Sequence, residues 1–417
     1  VATQERQSNG IRRVDLAYAQ LASSEVARDI NRDVVLELIR AQQPVSRADL
    51  ARLSGLQRST VSEIVEDLIR EEWVREGSIV KRPRGRRPTM LGLNEDLVML
   101  VADVHPRQAI VAVVDLNGHF LSRDVVAIAA DPQRATESII RSMLHMREKH
   151  AGKSFEGVGI SLPGRVDPET QTLIFAPNLK WTNFDIRGPV EKATGLKVEV
   201  DNAANAWLLS EMWFGKMDGV RNAVLVTISE GVGAGIIANG QPISGKNGMA
   251  GEFGHLVVDP NGPACACGAQ GCWEMFASST AAIRFFTALK PGRSGVSIEE
   301  IHALAEGGDK DALTALKEQA KHIGRGLRLV IAGLSPDVIF IAGDVISVWG
   351  IVGPLIEAEM RGALLTGSGP RLIPSEEGDL ARLRGASALV LQRHSGKRHS
   401  RSVPAPGSKS KTKKRSR

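Results

Sequence analysis

The 417-residue chain is 42% hydrophobic and 24% charged, which fits two or three folded domains and excludes a wholly disordered protein. No apolar run approaches the ~18 residues that cross a bilayer, and no charged-apolar-small leader opens the chain, so the expected location is cytoplasmic with no membrane partner. The formal charge of +6 is uneven: residues 1–90 carry 16 Lys/Arg against 13 Asp/Glu, residues 394–417 carry nine and no acid, and the long middle carries 28 against 34. Basic charge at the two ends is the footprint expected where nucleic-acid binding belongs to an appended module.

Residues 1–27 show no sustained period and read as a mobile arm. From Ile30 the pattern is helical, with Ile30, Val34 and Leu38 on one stripe and Val35 and Ile39 beside it. Pro44 cannot continue that helix and biases Gln43 towards an extended shape. Ser46-Arg47-Ala48-Asp49 reads as a capping box that opens a second, short helix ending at Gly55. Val61, Ile64, Val65, Leu68 and Ile69 then fall at i, i+3, i+4, i+7 and i+8, an amphipathic third helix.

Two helices joined through Ser54-Gly55-Leu56 predict a helix-turn-helix. Arg58, Ser59, Thr60 and Ser62 lie at the exposed start of its recognition helix, with Arg47 as a further DNA contact. The extended run Trp73-Val74-Arg75-Glu76 leads to Lys81-Arg82-Pro83-Arg84-Gly85-Arg86-Arg87-Pro88, a predicted wing tip. Arg84, Arg86 and Arg87 suit a narrow minor groove there. Residues 28–90 are thus expected to form a winged helix-turn-helix on double-stranded DNA. A small helical bundle for dimerisation, and a solvated linker for the arginine run, remain open on this pattern.

From Leu97 the pattern turns to short β-rich runs, 97–104 and 109–115, and Asn117-Gly118 signals a hairpin. Apolar runs at 158–162, 196–200, 223–228, 235–237 and 338–342 alternate with helix-period segments, which predicts an α/β architecture over 91–393. Residues 394–417 are Ser/Lys/Arg/Pro-rich and aperiodic, a basic tail expected to stay disordered.

The chain's three cysteines, Cys265, Cys267 and Cys272, lie within eight residues, with nine residues between His255 and Cys265. One histidine and three thiols complete a tetrahedral set for a structural Zn2+ in the loop 255–272, leaving no open position at which water could be activated. Gly268 and Gly271 fit a tight metal knuckle.

These residues carry a resemblance. Residues 248–274, with Gly251-Glu252-Phe253-Gly254-His255 and the cysteines, resemble the signature of the ROK family of repressors and bacterial sugar kinases. Similar family features are Gly157-Val158-Gly159-Ile160-Ser161-Leu162-Pro163-Gly164, Pro177-Asn178-Leu179, Asp201-Asn202-Ala203-Ala204-Asn205 and the glycine-rich 230–235. The resemblance implies an N-terminal winged helix-turn-helix followed by a two-lobed actin/hexokinase-like (ribonuclease H-like) ATPase-type fold, the winged module marking the repressor branch. It also implies sugar contacts at Asn178, Glu252, His255 and Glu274, with Gly164 and Asn202 as weaker ones. Carboxylates and amides offer paired acceptors and donors to neighbouring hydroxyls.

Family kinases place an Asp two residues before the Asn that matches Asn205, and here that position is Ala203. Asp103-Val104-His105-Pro106-Arg107 stands where an Asp-x-Gly-Gly-Thr phosphate hairpin is usual, and Ser229-Glu230 where Gly-Thr is usual. A glutamate beside a triphosphate is electrostatically unfavourable. The expected protein is therefore no enzyme. It is a sugar-modulated repressor, at least a homodimer or a homotetramer, on a palindromic operator. Two other readings stay open, a working sugar kinase with an accessory DNA module and a zinc-stabilised regulator answering to a protein partner.

Overall fold

The computed structural model describes residues 24–79, 89–215, 217, 219–293, 295–362, 369–375 and 378–396. It divides into two compact units with the boundary between Asn94 and Glu95. The expected wing tip at 81–88, with Arg84, Arg86 and Arg87, lies outside the described residues, as do 1–23, residue 80 and 397–417.

The first unit runs α1 (Ser24–Gln42), β1 (Val45–Ser46), α2 (Arg47–Ser54), α3 (Arg58–Arg70), β2 (Val74–Ile79) and β3 (Thr89–Leu93). Ser46 caps α2 by accepting from Asp49 N, and Gly55 closes it in the left-handed region, where the missing Cβ removes the penalty. Val61, Ile64, Val65 and Leu68 are the buried face of α3. Helix α1 differs from the sequence pattern. It begins at Ser24 and buries Val35, Leu36 and Ile39, while Ile30 and Val34 are exposed. Strand β3 pairs antiparallel with both β1 and β2. That pairing places residues 89–93 with the winged module, beyond the expected limit at 90.

The second unit holds two five-stranded sheets. The first lobe is β4 (Leu97–Val104), β5 (Gln108–Asp115), β6 (Phe120–Ala127), α4 (Pro132–Lys149), β7 (Ser154–Leu162), the small strands β8 (Arg165–Val166), β9 (Leu173–Ala176) and β10 (Trp181–Phe184), α5 (Arg187–Thr194) and β11 (Val198–Asn202). Helix α6 (Ala203–Phe214) leads to the second lobe: β12 (Ala223–Ile228), β13 (Val232–Ala238), β14 (Gln241–Pro242), α7 (Glu274–Ala277), α8 (Ser279–Leu289), α9 (Ile298–Glu306), α10 (Lys310–Leu334), β15 (Val338–Gly343), α11 (Trp349–Arg361) and β16 (Arg371–Pro374). Helix α12 (Asp379–Gly396) follows and runs three residues into the segment expected to lack structure.

The sheet orders are β11-β7-β4-β5-β6 and β14-β13-β12-β15-β16. Each has an antiparallel meander whose first strand pairs in parallel with a later one, so one topology occurs twice. In the first lobe, Ile139, Met143 and Val190 of α4 and α5 cover one face of the sheet, and Leu383 and Ala386 of α12 pack on Val101, Ile110 and Ala112 of the other. In the second lobe, Ile323, Leu327 and Ile356 of α10 and α11 cover one face, and Ala204, Trp207 and Leu208 of α6 cover the other.

Helices α6 and α12 meet the sheets and each other at glycines. A Cβ on Gly159 of β7 would lie 1.7 Å from the Ala386 carbonyl oxygen, and one on Gly385 would lie 1.8 Å from that of Ala206. Such contact tolerates no added methyl. Gly159→Ala is expected to lower unfolding stability by about 3 kcal/mol, read as a fall in the urea midpoint. A midpoint equal to the parent's would show that the crossing has slack.

Candidate functional site

The metal cluster is assembled almost entirely by local turns. Glu252–His255 form one 3-10 turn entered through the left-handed Gly251. A Cβ on Gly251 or Gly254 would each lie 2.3 Å from a carbonyl oxygen of β13, on Ala234 and Val232, so the turn rests directly on that strand. Cys265 N donates to Ala269 O and Gly268 N to Cys265 O, while Cys272 bridges to Val257. The result brings the ligand atoms of His255, Cys265, Cys267 and Cys272 within 4.8 Å of one another.

Cys265 Sγ is 3.5 Å from His255 Nδ1 and Cys267 Sγ is 3.6 Å from Cys272 Sγ. The edge of a tetrahedron around zinc with Zn–S near 2.3 Å is about 3.7 Å, so the spacing fits such an ion. Burial pushes the Cys272 thiol up to about 12, so a thiolate there requires a cation beside it. With Nδ1 towards the thiols, His255 Nε2 faces Glu252 Oε2 at 3.7 Å.

Three of the expected sugar contacts, Glu252, His255 and Glu274, lie at or beside this turn. Glu274, at the start of α7, accepts from Val232 N at 2.9 Å, and its other oxygen lies 4.0 Å from Cys265 Sγ. Burial pushes the Glu252 carboxyl up, opposed by His255 and Arg165 and reinforced by Glu274. In the first lobe, Asn202 ends β11 beside Leu162 of β7 and caps α6 by accepting from Asn205 N at 2.8 Å. Gly164 is left-handed, and its Cβ position lies 2.3 Å from Phe175 O, which seats it on the strand leading into the exposed turn of Asn178.

In the winged unit, Arg58 and Ser59 are exposed and Thr60 and Ser62 are half-buried at the start of α3. The two guanidinium nitrogens of Arg47 pair with Glu66 of α3 and Glu76 of β2.

The comparisons with known proteins follow the same division. Residues 34–78 match the IclR helix-turn-helix domain, and residues 103–393 match the ROK family. The chain belongs to the ROK family. It is 30% identical over 378 residues to the xylose repressor of Bacillus spizizenii, covering 89% of this chain and 97% of that protein. The crystal structure of a ROK family transcriptional regulator, a homologue of the Escherichia coli MLC protein, superposes with a TM-score of 0.79 at 29% identity, over 89% of this chain and 97% of that one. A ROK family glucokinase from Streptomyces griseus, in complex with glucose and AMPPNP, gives 0.62 at 29% identity over 71% and 99%. No helix among the described residues is long and apolar enough to cross a membrane.

Ala203 opens α6 and brings no carboxyl. Asp201 accepts from Asn205 Nδ2 at 3.0 Å and from Asn202 N at 2.6 Å, bonds that keep it on its own strand end. Asp103, 1% exposed at the end of β4, bonds Arg382 Nε, His105 Nε2 and Ser161 Oγ, each at 2.8 Å. Burial opposes its charge, but Arg382 and His105 overcome that and hold the carboxyl below its usual range. The Arg382 guanidinium also lies 5.5 Å from the Trp207 ring centre. On the second lobe, Asp344 accepts from Ser229 Oγ and Ser279 Oγ at 3.2 and 2.8 Å. Sequence patterning did not flag Arg382 or Asp344, since their partners come from distant segments.

Asp201 gives a pH prediction. Burial raises its carboxyl from 3.8 to about 6, so the folded chain holds a proton there that the unfolded chain releases earlier. Its contribution is complete below pH 3.8 and disappears as pH rises through about 6. The Asp201→Asn variant should therefore gain in melting temperature relative to the parent between pH 4 and 6, with a constant gap above pH 7. Parallel pH profiles would contradict this.

Proposed function

We propose that this chain is a sugar-responsive, DNA-binding transcriptional repressor whose kinase-like unit senses its ligand without transferring phosphate. The observation that carries the reading is a helix-turn-helix match over 34–78 joined to a ROK match over 103–393, in a chain similar over 89% of its length to a xylose repressor and to a ROK family transcriptional regulator. Helix α3 presents Arg58, Ser59, Thr60 and Ser62 at an end where Gln57 supplies no side-chain cap, so its first amides are available to phosphate oxygens. Arg84, Arg86 and Arg87, which lie outside the described residues, would add cationic contacts to the DNA backbone.

Asp103 supports the absence of phosphotransfer. Arg382 and His105 engage the carboxylate at the first phosphate hairpin, Ala203 supplies no general base, and Glu230 and Asp344 add negative charge where a triphosphate would lie. Asn178, Glu252, His255 and Glu274 hold sugar hydroxyls, with Gly164 and Asn202 lining the pocket.

His255, Cys265, Cys267 and Cys272 would hold one structural zinc, whose chemistry is to fix the turn that carries Glu252 and His255. A homodimer or homotetramer sets two α3 helices on a palindromic operator, and lobe closure on the sugar changes their spacing. The usual coupling range of about 1–3 kcal/mol would alter operator affinity roughly 5- to 150-fold.

Selection of operator sites from random DNA tests the assignment. Arg58→Ala should relax base preference, whereas Arg84→Ala with Arg86→Ala should weaken binding to all sequences and flatten its salt dependence. Undiminished operator binding by a chain lacking residues 1–94, or phosphorylation of a hexose by the full chain, would overturn it.

The metal reading has its own measurement. Elemental analysis should find close to one zinc per chain, and Cys267→Ser should reduce melting temperature and sugar affinity together. Normal melting of a metal-free preparation would exclude the structural role.

A further inference from the structure

The acidic side chains of α3 are not alike. At 3.6 residues per turn, Ser59, Glu63 and Glu66 fall opposite the buried face of Val61, Ile64, Val65 and Leu68, and all three are exposed. Glu66 pairs with Arg47 of α2 at 2.7 Å. Further along, Asp67 pairs with Arg28, and the C-cap residue Glu71 with Arg32, both arginines coming from α1. Each of these carboxylates is therefore matched to a guanidinium from another helix of the module. Glu63 is not. Among the described residues it makes no ion pair or hydrogen bond. It stands in the second turn of α3, one turn beyond Ser59, on the side that packing leaves outward.

A carboxylate in that place repels phosphate and so weakens binding to every sequence alike. Compensation has to come from a base edge, and an ionised carboxylate can only accept. In the major groove guanine presents acceptors, and thymine an acceptor beside its methyl group. Adenine sets its N6 donor next to the N7 acceptor, which opposes the second carboxylate oxygen. Cytosine presents its N4 amino donor with no acceptor next to it. The first turns of a recognition helix are the part that meets base edges, and Glu63 lies within them.

We infer that Glu63 is a specificity-determining residue of the DNA site: its carboxylate accepts from the N4 amino group of one cytosine in each half-site and disfavours the other three bases there. The inference rests on the DNA-binding reading above and adds the residue and the base that it selects.

Sites are selected from random duplexes by the full chain and by its Glu63→Ala and Glu63→Gln forms, and the affinity of each for the duplex selected by the parent is read by fluorescence anisotropy. The parent should require cytosine at one position of each half-site. Glu63→Ala should lose that preference alone and bind unrelated DNA more tightly, because a negative charge has gone. Glu63→Gln should shift the same position towards adenine, whose N6 and N7 match an amide. Replacing the cytosine by 2-pyrimidinone, which lacks the amino group, should weaken the parent at least about fivefold more than Glu63→Ala, a non-additivity that the weaker pairing with guanine would not produce. Both variants should melt with the parent, since the side chain is exposed and bonds nothing. An unchanged consensus in Glu63→Ala, changes spread over the whole half-site, or equal losses from 2-pyrimidinone in parent and variant would overturn the inference and leave DNA binding standing. A parent that selects no sequence would instead refute the DNA-binding reading and, with it, this inference.

Discussion

The contact on which the second unit depends is backbone against backbone, where α6 and α12 cross between the two sheets. Gly159 admits the Ala386 carbonyl, Gly385 that of Ala206, and a Cβ on Gly235 would lie 2.7 Å from that of Ala204. With no side chain between them, the separation of these elements is set by van der Waals contact of main-chain atoms. The first residues of α6 and α12 inherit that precision. Asn202, Ala203 and Arg382 are all within the first turn of one of these helices or its cap, so one crossing sets the position of all three.

The second constraint is the seating of the metal turn on β13. Val232 meets both Gly254 and the Glu274 carboxylate, so the glycine-rich strand, the thiol loop and α7 are tied at one residue. A cleft built this way has little freedom to reposition its acceptors by itself. Movement between the lobes is the degree of freedom that a ligand touching both of them would use.

Legibility in the sequence followed the range of the interactions. The capping box at Ser46, the left-handed stop at Gly55 and the buried face of α3 depend on neighbours within a turn or two, and the structure reproduces them. The metal set was legible for the same reason, since its ligands fall within one short segment. The register of α1 was not, because Val34 and Val35 offer two overlapping apolar stripes, and contact with the other helices of the unit decides between them. The ion pairs of Arg47 were not legible either, because Glu66 and Glu76 are 19 and 29 residues away. Arg382 lies 279 residues from Asp103, a distance at which no local pattern marks a charge pair.

The 3-10 turn of Glu252 and His255 has a consequence of thermodynamic bookkeeping. His255 of this turn faces the thiols with Nδ1 and Glu252 with Nε2, so in the proposed sensor any ion that rigidifies the turn does so for the thiols and the ligand alike. Reciprocity then requires that whatever factor the ion adds to ligand affinity, the ligand adds to the affinity for the ion. The repressor's response curve would be a joint function of two concentrations, and scarcity of the metal would register as a loss of sensitivity to the sugar.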